Sequence, residues 1–349
     1  MGVIQRTLAQ SRAGHTAGAM NSIPTNLPKY NEYLYGLRQG SYINLIAETA
    51  VGKTSLGRHL YLHTPYEEYL RINDPTRLDV LFLDFSLEIA DTINCANAIS
   101  RKAYIDYNKV IPLAKIFGWG DNRLDEEETV LVNSYEDYFK AFQEKVIVVD
   151  GEVSPELFHK VCLEAAKRNG RFEKSGNSIA DCYNYTPNNP NLYVIGLIDT
   201  VNLAEGEAVK QTMDKLSRYA VLFRNKCNFT FIVLQQISAE IASTERGRFS
   251  STVPVLRDAE DSRRPGKDSN IVIALHEPLR HLLPDKTVFK GYDMIRMQAW
   301  LRTLHILKHR EGVMNKYIPL KMSGAVSYWE QLPYAKDMTD ELYDQATKY

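Results

Sequence analysis

The sequence predicts an α/β fold: a mostly parallel sheet flanked by helices, with antiparallel strands added towards its C-terminal end. Three observations predict it. The first is the segment Ala47-Glu48-Thr49-Ala50-Val51-Gly52-Lys53-Thr54, which nearly fits the phosphate-cradling pattern G-x-x-x-x-G-K-[ST], with alanine at the first glycine. It lies between an apolar run and an amphipathic stretch, so strand, loop and helix follow in the order such a loop needs. The second is the regular alternation of short apolar runs with helical patterns, which argues for parallel strands joined by helical crossovers. The third is a change of texture after residue 296 to short strands separated by Glu311-Gly312 and Ser323-Gly324, the mark of hairpins.

The elements follow in order. Residues 1–22 are rich in Ser, Ala, Gly and Arg and read as an arm or linker, and the main domain is expected over 23–332. Ser41 to Ile46 has the pattern of a buried strand, and Ser55 to Tyr61 continues from the loop as an amphipathic helix. Leu78 to Phe85, Val146 to Val149, Leu192 to Ile198 and Phe229 to Leu234 are further apolar runs of strand length. Ser154 to Asn169 is the clearest helix, with Ser154 as N-cap, Pro155 at the first helical position, Leu157, Phe158, Val161, Cys162 and Ala165 on one face, and Gly170 as its stop. Glu207 to Lys226 is a second, with Met213, Leu216, Ala220 and Phe223 at helical spacing. The hairpin strands are Trp300 to Leu307, Tyr317 to Leu320 and Ala325 to Gln331; residues 333–349 read as a polar tail or a short helix.

Composition narrows the function classes. With 349 residues, 44% hydrophobic and 24% charged, the chain can bury a large core and does not resemble a disordered protein. A net charge of -1 means that any nucleic acid must be met by a local basic surface or an oligomeric channel. The four cysteines, Cys95, Cys162, Cys182 and Cys227, are widely spaced and fit reduced thiols better than a disulfide frame or a zinc site. No apolar run has the length of a membrane span, and the N-terminus lacks the apolar segment of a signal peptide, so a soluble cytoplasmic protein without membrane contact is expected.

The candidate chemistry starts at the loop. A helix beginning at Gly52 points unpaired amides and the positive dipole end at a phosphate, with Lys53 as the β/γ-phosphate lysine, Thr54 as the hydroxyl for a metal, and Ser55 completing the cradle formed by Ala47 to Thr54. Phosphoryl chemistry also needs a carboxylate for the metal, at the end of a neighbouring buried strand. Asp199, after Leu192 to Ile198, stands in such a place, although a strand-end aspartate can also cap the next turn. A further carboxylate is needed to orient or deprotonate the attacking water. Glu88, three residues beyond the strand ending at Phe85, is a candidate, although by itself it reads as an ordinary first-turn helix carboxylate.

Taken together the motifs resemble the RecA-like motor domain of DnaB-type replicative hexameric helicases, co-linearly from about Ile23 to Leu332. Ile23-Pro24-Thr25-Asn26-Leu27-Pro28 and Gly36-Leu37-Arg38-Gln39-Gly40 are similar to the family's lead into its first strand, and alanine at the first loop position is common there. Phe85-Ser86-Leu87-Glu88 is similar to its F-S-L-E segment, which implies that Glu88 is the catalytic carboxylate. Ile198-Asp199-Thr200-Val201-Asn202-Leu203 resembles its Walker B segment, and Leu234-Gln235-Gln236-Ile237 its L-S-Q-L, which gives Gln236 the role of sensing the γ-phosphate. Lys308-His309-Arg310-Glu311-Gly312 resembles K-x-R-x-G, whose Lys308 and Arg310 equivalents project into the neighbouring subunit's site.

The resemblance implies a RecA-like P-loop NTPase using ATP and Mg²⁺, assembled as a homo-oligomer, a hexameric ring, that moves on single-stranded DNA, with a primase or a helicase loader as further partner. The loops after the Walker B and glutamine strands would face the channel, and Arg246, Arg248, Arg257, Arg263 and Arg264 are the candidate DNA-phosphate contacts. Two features depart from the family: Asp258-Ala259-Glu260-Asp261-Ser262-Arg263 replaces D-L-R-E-S-G, and residues 276–299, marked by Pro278, Pro284 and Gly291, form an insertion. The family's N-terminal helical domain has no counterpart in the residues before Ile23, so ring assembly is expected to rest on the arm and the motor interfaces. A filament-forming recombinase ATPase and an ATP-binding scaffold subunit of a replication complex are the alternative readings.

Overall fold

The computed structural model describes residues 20–85, 91–149, 153–199, 207–237, 252–259, 262–281 and 287–348. In chain order the strands are β1 (Tyr42–Ala47), β2 (Asp79–Phe85), β3 (Val146–Val148), β4 (Gly170–Lys174), β5 (Cys182–Pro187), β6 (Leu192–Asp199), β7 (Thr230–Gln236), β8 (Ile271–His276), β9 (Val288–Phe289), β10 (Tyr292–Asp293), β11 (Leu301–His309), β12 (Tyr317–Ser323) and β13 (Tyr328–Gln331). Nine of them form one sheet in the order β13-β12-β11-β8-β1-β7-β6-β2-β3. The pairs from β8 across to β3 are parallel, and β11, β12 and β13 extend the β8 edge antiparallel.

Helices cover both faces, because alternate residues of each inner strand point to opposite sides. Ile43, Leu45, Ile195, Leu197, Ile232 and Leu234 enter a core shared with Leu56 and Leu60 of the segment that follows the phosphate loop. Tyr42, Val194, Ile198, Phe231 and Val233 enter the opposite core, against Phe158, Cys162, Met213, Leu216 and Phe223 of the two long helices. Those helices run Pro155–Asn169 and Glu207–Cys227. The first is capped as its sequence predicts, the Ser154 hydroxyl accepting from the Leu157 amide at 3.1 Å, a contact that contributes about 1 kcal/mol.

Several elements differ from the expectations: the β4–β5 hairpin is an addition, and the strand expected over Ala325 to Gln331 begins only at Tyr328, after a 3-10 turn Gly324–Val326. The helix after the loop is longer than Ser55 to Tyr61: Lys53–Arg58 is α-helical, His59–His63 forms a π turn, and Thr64–Ile72 is α-helical again. Pro65 sits in the first turn of the last piece; it lacks an amide to donate to the turn before it, and the wider π turn absorbs that interruption. Strand β8 is an addition to the expected set, and it lies in the middle of the sheet between β1 and β11. Residues 276–299 carry structure of their own: a 3-10 turn Pro278–His281, the β9–β10 hairpin and a short helix Met294–Met297. Tyr292, Met294 and Met297 there bury against Tyr343 and Ala346 of a terminal helix, Asp340–Ala346. No helix among the described residues is long and apolar enough to cross a membrane.

Candidate active site

The site lies at the C-terminal ends of β1, β6 and β7, where the parallel strands stop side by side. β1 is the fully buried central strand, so the loop that leaves it is anchored in the core. Its last residue, Ala47, pairs with Gln236 of β7 and Leu275 of β8. The chain then turns through Ala50 at φ 60° and Gly52 at φ 104° before entering the helix at Lys53. Gly52 is required for its backbone and for its lack of a side chain. A Cβ there would lie 2.9 Å from both Met322 Sδ and the Trp329 ring. Trp329 is itself fixed, donating from its ring nitrogen to Ser55 Oγ at 3.0 Å.

The loop encloses a pocket of about 230 Å³ lined by Ala47, Glu48, Thr49, Ala50, Gly52, Lys53, Thr54, Ser55 and Gln236. At its floor the buried Lys53 ammonium donates to Asp199 Oδ1 at 3.0 Å and to the Leu234 carbonyl at 3.2 Å. The Thr54 hydroxyl donates to Asp199 Oδ2 at 2.6 Å. A cation, a hydroxyl and a carboxylate 2% exposed thus converge from β6 and the helix start. This donor set fits a nucleotide polyphosphate with a hard divalent cation: ammonium for phosphate oxygens, hydroxyl and carboxylate oxygens for the metal.

Gln236, the last residue of β7, donates to Thr49 Oγ1 at 2.6 Å and so touches the loop. Strand alternation turns its neighbour the other way. Gln235 is fully buried, accepts from Asn44 Nδ2 at 3.1 Å and donates to the Ser262 carbonyl at 2.7 Å, a structural role. Glu88 lies outside the described residues. The described part of β2 pairs with β6 as far as Phe85 opposite Ile198, the residue before Asp199.

Lys308 and Arg310 are not at this pocket. They lie towards the far end of β11, where Lys308 is opposite Val272 near the start of β8, whereas the phosphate loop is at the other end of that strand. Both reach the carbonyl end of the helix Arg264–Asp268: Lys308 donates to the Gly266 and Lys267 carbonyls at 2.8 and 2.9 Å, and Arg310 to the Lys267 carbonyl at 2.9 Å. Partial burial and then the neighbouring Arg310 lower the Lys308 pKa from its ordinary value. His309 between them turns to the opposite side and packs on Tyr35, ring centres 5.7 Å apart.

Of the arginines expected at DNA, Arg246 and Arg248 lie outside the described residues. Arg257 and Arg263 are exposed. Arg264 is held in an ion pair with Asp268 at 2.6 Å, on the same short helix that Lys308 and Arg310 cap.

What the sequence reading missed is a polar bracket under the phosphate loop. Arg280 donates to the Thr49 carbonyl at 2.7 Å, His281 bonds Glu48 Oε2 at 2.7 Å, and buried Arg302 donates to the Val51 carbonyl at 3.2 Å. Glu277 joins the two arginines, 2.8 Å from Arg280 and 3.0 Å from Arg302. The insertion and the strand after it therefore hold three of the loop's residues, and the Glu48 carboxylate is engaged with His281 beside the pocket it lines. The one signal in the sequence was the run of basic residues within the insertion and just after it, Arg280, His281 and Arg302 among them.

No protein-family model matches the sequence, and no curated protein matches it. Solved structures do. The chain is similar to one described as the ATPase domain of G40P, with a TM-score of 0.66 at 15% identity over 95% of this chain and 100% of that one. It is similar also to a DnaB-like replicative helicase described together with its interactions with primase, with a TM-score of 0.66 at 14% identity over 95% of this chain and 69% of that one. With a phosphate loop leaving the central strand of a parallel sheet and an antiparallel extension beside it, the chain has the RecA-like fold found in DnaB-like helicase motors.

Proposed function

We propose that the protein is an ATP-driven, ring-forming DNA helicase motor. The observation that carries the reading is the division of the catalytic set between two ends of one sheet. Lys53, Thr54, Asp199 and Gln236 converge at the phosphate loop, while Lys308 and Arg310 stand at the opposite end of β8. That strand's six residues span roughly 17–20 Å, so neither cation serves its own chain's pocket in this conformation. A second copy placed with its Lys308 edge against the loop completes the site, which supports hydrolysis shared between protomers of a closed assembly.

In this reading Lys53 holds the β and γ phosphates, Thr54 and Asp199 hold Mg²⁺, and Glu88 takes the proton of the attacking water. The metal, when bound, neutralises charge on the phosphate oxygens. Lys53 must leave Asp199 for the phosphates, and that exchange frees the carboxylate for the metal. Gln236 reports the γ-phosphate to the segment that follows β7, and a neighbour's Arg310 stabilises the transferring phosphoryl, a contribution of about 10³–10⁵ in rate in other NTPases. Single-stranded DNA is gripped through its phosphates by the channel-facing loops, with Arg246, Arg248, Arg257, Arg263 and Arg264 as candidate contacts. A primase or loader is the further partner.

Mixed assemblies test the division of labour. Glu88→Gln is expected to bind ATP and not turn it over, and Arg310→Ala to be inactive alone. Mixed together, the two variants should recover part of the activity, because a Glu88-intact site can then meet an Arg310-intact neighbour. Full activity of pure Arg310→Ala, or no recovery on mixing, contradicts the shared site.

A further inference from the structure

At the edge of the phosphate loop three side chains converge from three separate elements, one of them Glu48 of the loop itself. Ala47 and Leu275 are a register pair on adjacent parallel strands, so the next residues, Glu48 just beyond β1 and His276 at the end of β8, follow side by side. The 3-10 turn Pro278–His281 then folds back and places His281 against both. One ligand atom from each of Glu48, His276 and His281 can be chosen so that all lie within 4.8 Å of one another. His281 Nε2 and Glu48 Oε2 are 2.7 Å apart, and the His276 and His281 rings stack with centres 5.7 Å apart and planes at 9°.

His276 is the anomaly. It is completely buried, and neither ring nitrogen has a hydrogen-bond partner among the described residues. Buried polar atoms without partners are rare and costly, so a histidine held this way calls for a ligand. His305 does not supply the missing bond, since its Nε2 is engaged by Thr303 Oγ1 at 2.9 Å.

We propose that Glu48, His276 and His281 form a binding site for one transition-metal dication of the zinc class, which fastens the insertion to the phosphate loop. Two imidazoles and a carboxylate are a three-ligand set suited to Zn²⁺, with a fourth position open to water. Tetrahedral ligands about 2.1 Å from a metal lie roughly 3.4 Å apart, so a separation within 4.8 Å closes by at most about 1.4 Å on binding. Mg²⁺ prefers oxygen ligands in octahedral array and is disfavoured by the paired imidazoles. This separates the site chemically from the one at Thr54 and Asp199. Binding replaces the His281–Glu48 hydrogen bond by ligation of both groups and gives His276 its missing partner.

The test is titration of the metal-stripped full-length chain with Zn²⁺ against a chromophoric chelator, and with Co²⁺ read by visible absorption, both in excess Mg²⁺. The wild type is expected to take up about one equivalent, to show the intense absorption of tetrahedral Co²⁺, and to melt at a higher temperature with Zn²⁺. His281→Gln keeps a hydrogen bond to Glu48 and lacks the ligand, and should bind at least about 100-fold more weakly, since even the loss of a supporting contact around a metal costs about 10–100-fold. His276→Gln should lose the site as well, and His281→Gln carries the test alone if that buried change prevents folding. Failure of the wild type to bind, or wild-type affinity in His281→Gln, which would place the metal on the cysteines or elsewhere, overturns the assignment.

Discussion

Gly52→Ala separates two reasons for a glycine at the neck of the phosphate loop. At φ 104° the residue lies where an L side chain is strained, a cost of about 1–2 kcal/mol. The new methyl carbon would also stand 2.9 Å from Met322 Sδ and from the Trp329 ring. The methionine can swing aside, but Trp329 is fully buried and bonded to Ser55, and overpacking of this kind costs about 1–3 kcal/mol more. The sum, about 2–5 kcal/mol, corresponds to a fall in melting temperature of roughly 3–7 °C for a chain of this size. Gly120→Ala isolates the backbone contribution, because Gly120 has φ 61° and nothing within 4 Å of the added carbon. Thermal unfolding of both variants, with titration of a fluorescent ATP analogue, measures the difference. Gly120→Ala should lose only the smaller amount and bind nucleotide normally, whereas Gly52→Ala should lose more and bind at least about tenfold more weakly. Equal melting temperatures and unchanged nucleotide affinity in Gly52→Ala would refute the packing argument.

Other consequences follow from the same geometry. Arg302→Met removes the donor to the Val51 carbonyl and leaves Glu277 with Arg280 alone; urea unfolding should show a loss of about 3 kcal/mol, partly restored by adding Glu277→Gln, and no restoration would contradict the buried pairing. Asp199→Asn should reduce magnesium-dependent hydrolysis by about 100-fold or more while nucleotide binding without magnesium persists, as equilibrium binding would show. His59 and His63 are held well below the ordinary imidazole value by burial and then by Arg101; His59 accepts from Arg101 at Nδ1 and pairs with Asn26 at Nε2. Their folded pKa values are depressed, so the stability they confer is fully present above the unfolded value near 6.5 and is lost as pH falls below it. From pH 7 to 5.5 the two together should cost about 2.5 kcal/mol, and His63→Phe should remove about half of that dependence in urea midpoints.

Much of the fold was legible because a buried parallel strand needs a largely apolar run, and β1, β2, β6 and β7 supply one each. Helix Pro155–Asn169 was legible to the residue because its cap, its first-turn proline and its terminal glycine are local signals. β8 has the same kind of run, Ile271 to Leu275, but follows a long polar stretch and precedes a proline-marked insertion, surroundings that read as loop. Lys53 and Thr54 were found from the loop pattern, Asp199 from its strand end and Gln236 from the resemblance, and the structure brings these four together. The bracket of Arg280, His281 and Arg302 was not readable, because its contacts join residues more than 230 positions apart in sequence. Nothing local distinguishes an arginine that will reach a loop carbonyl from one on a solvated surface. The same limit hides the Glu48, His276 and His281 cluster, whose members come together only when β8 is placed beside β1.

Magnesium-dependent ATP hydrolysis by the purified protein, with and without single-stranded DNA and across protein concentration, tests the motor assignment most directly. A motor with sites completed by neighbouring protomers predicts turnover that rises steeply with concentration as protomers assemble and is stimulated further by DNA. Turnover per protomer that is independent of both, or no turnover at all, would contradict it.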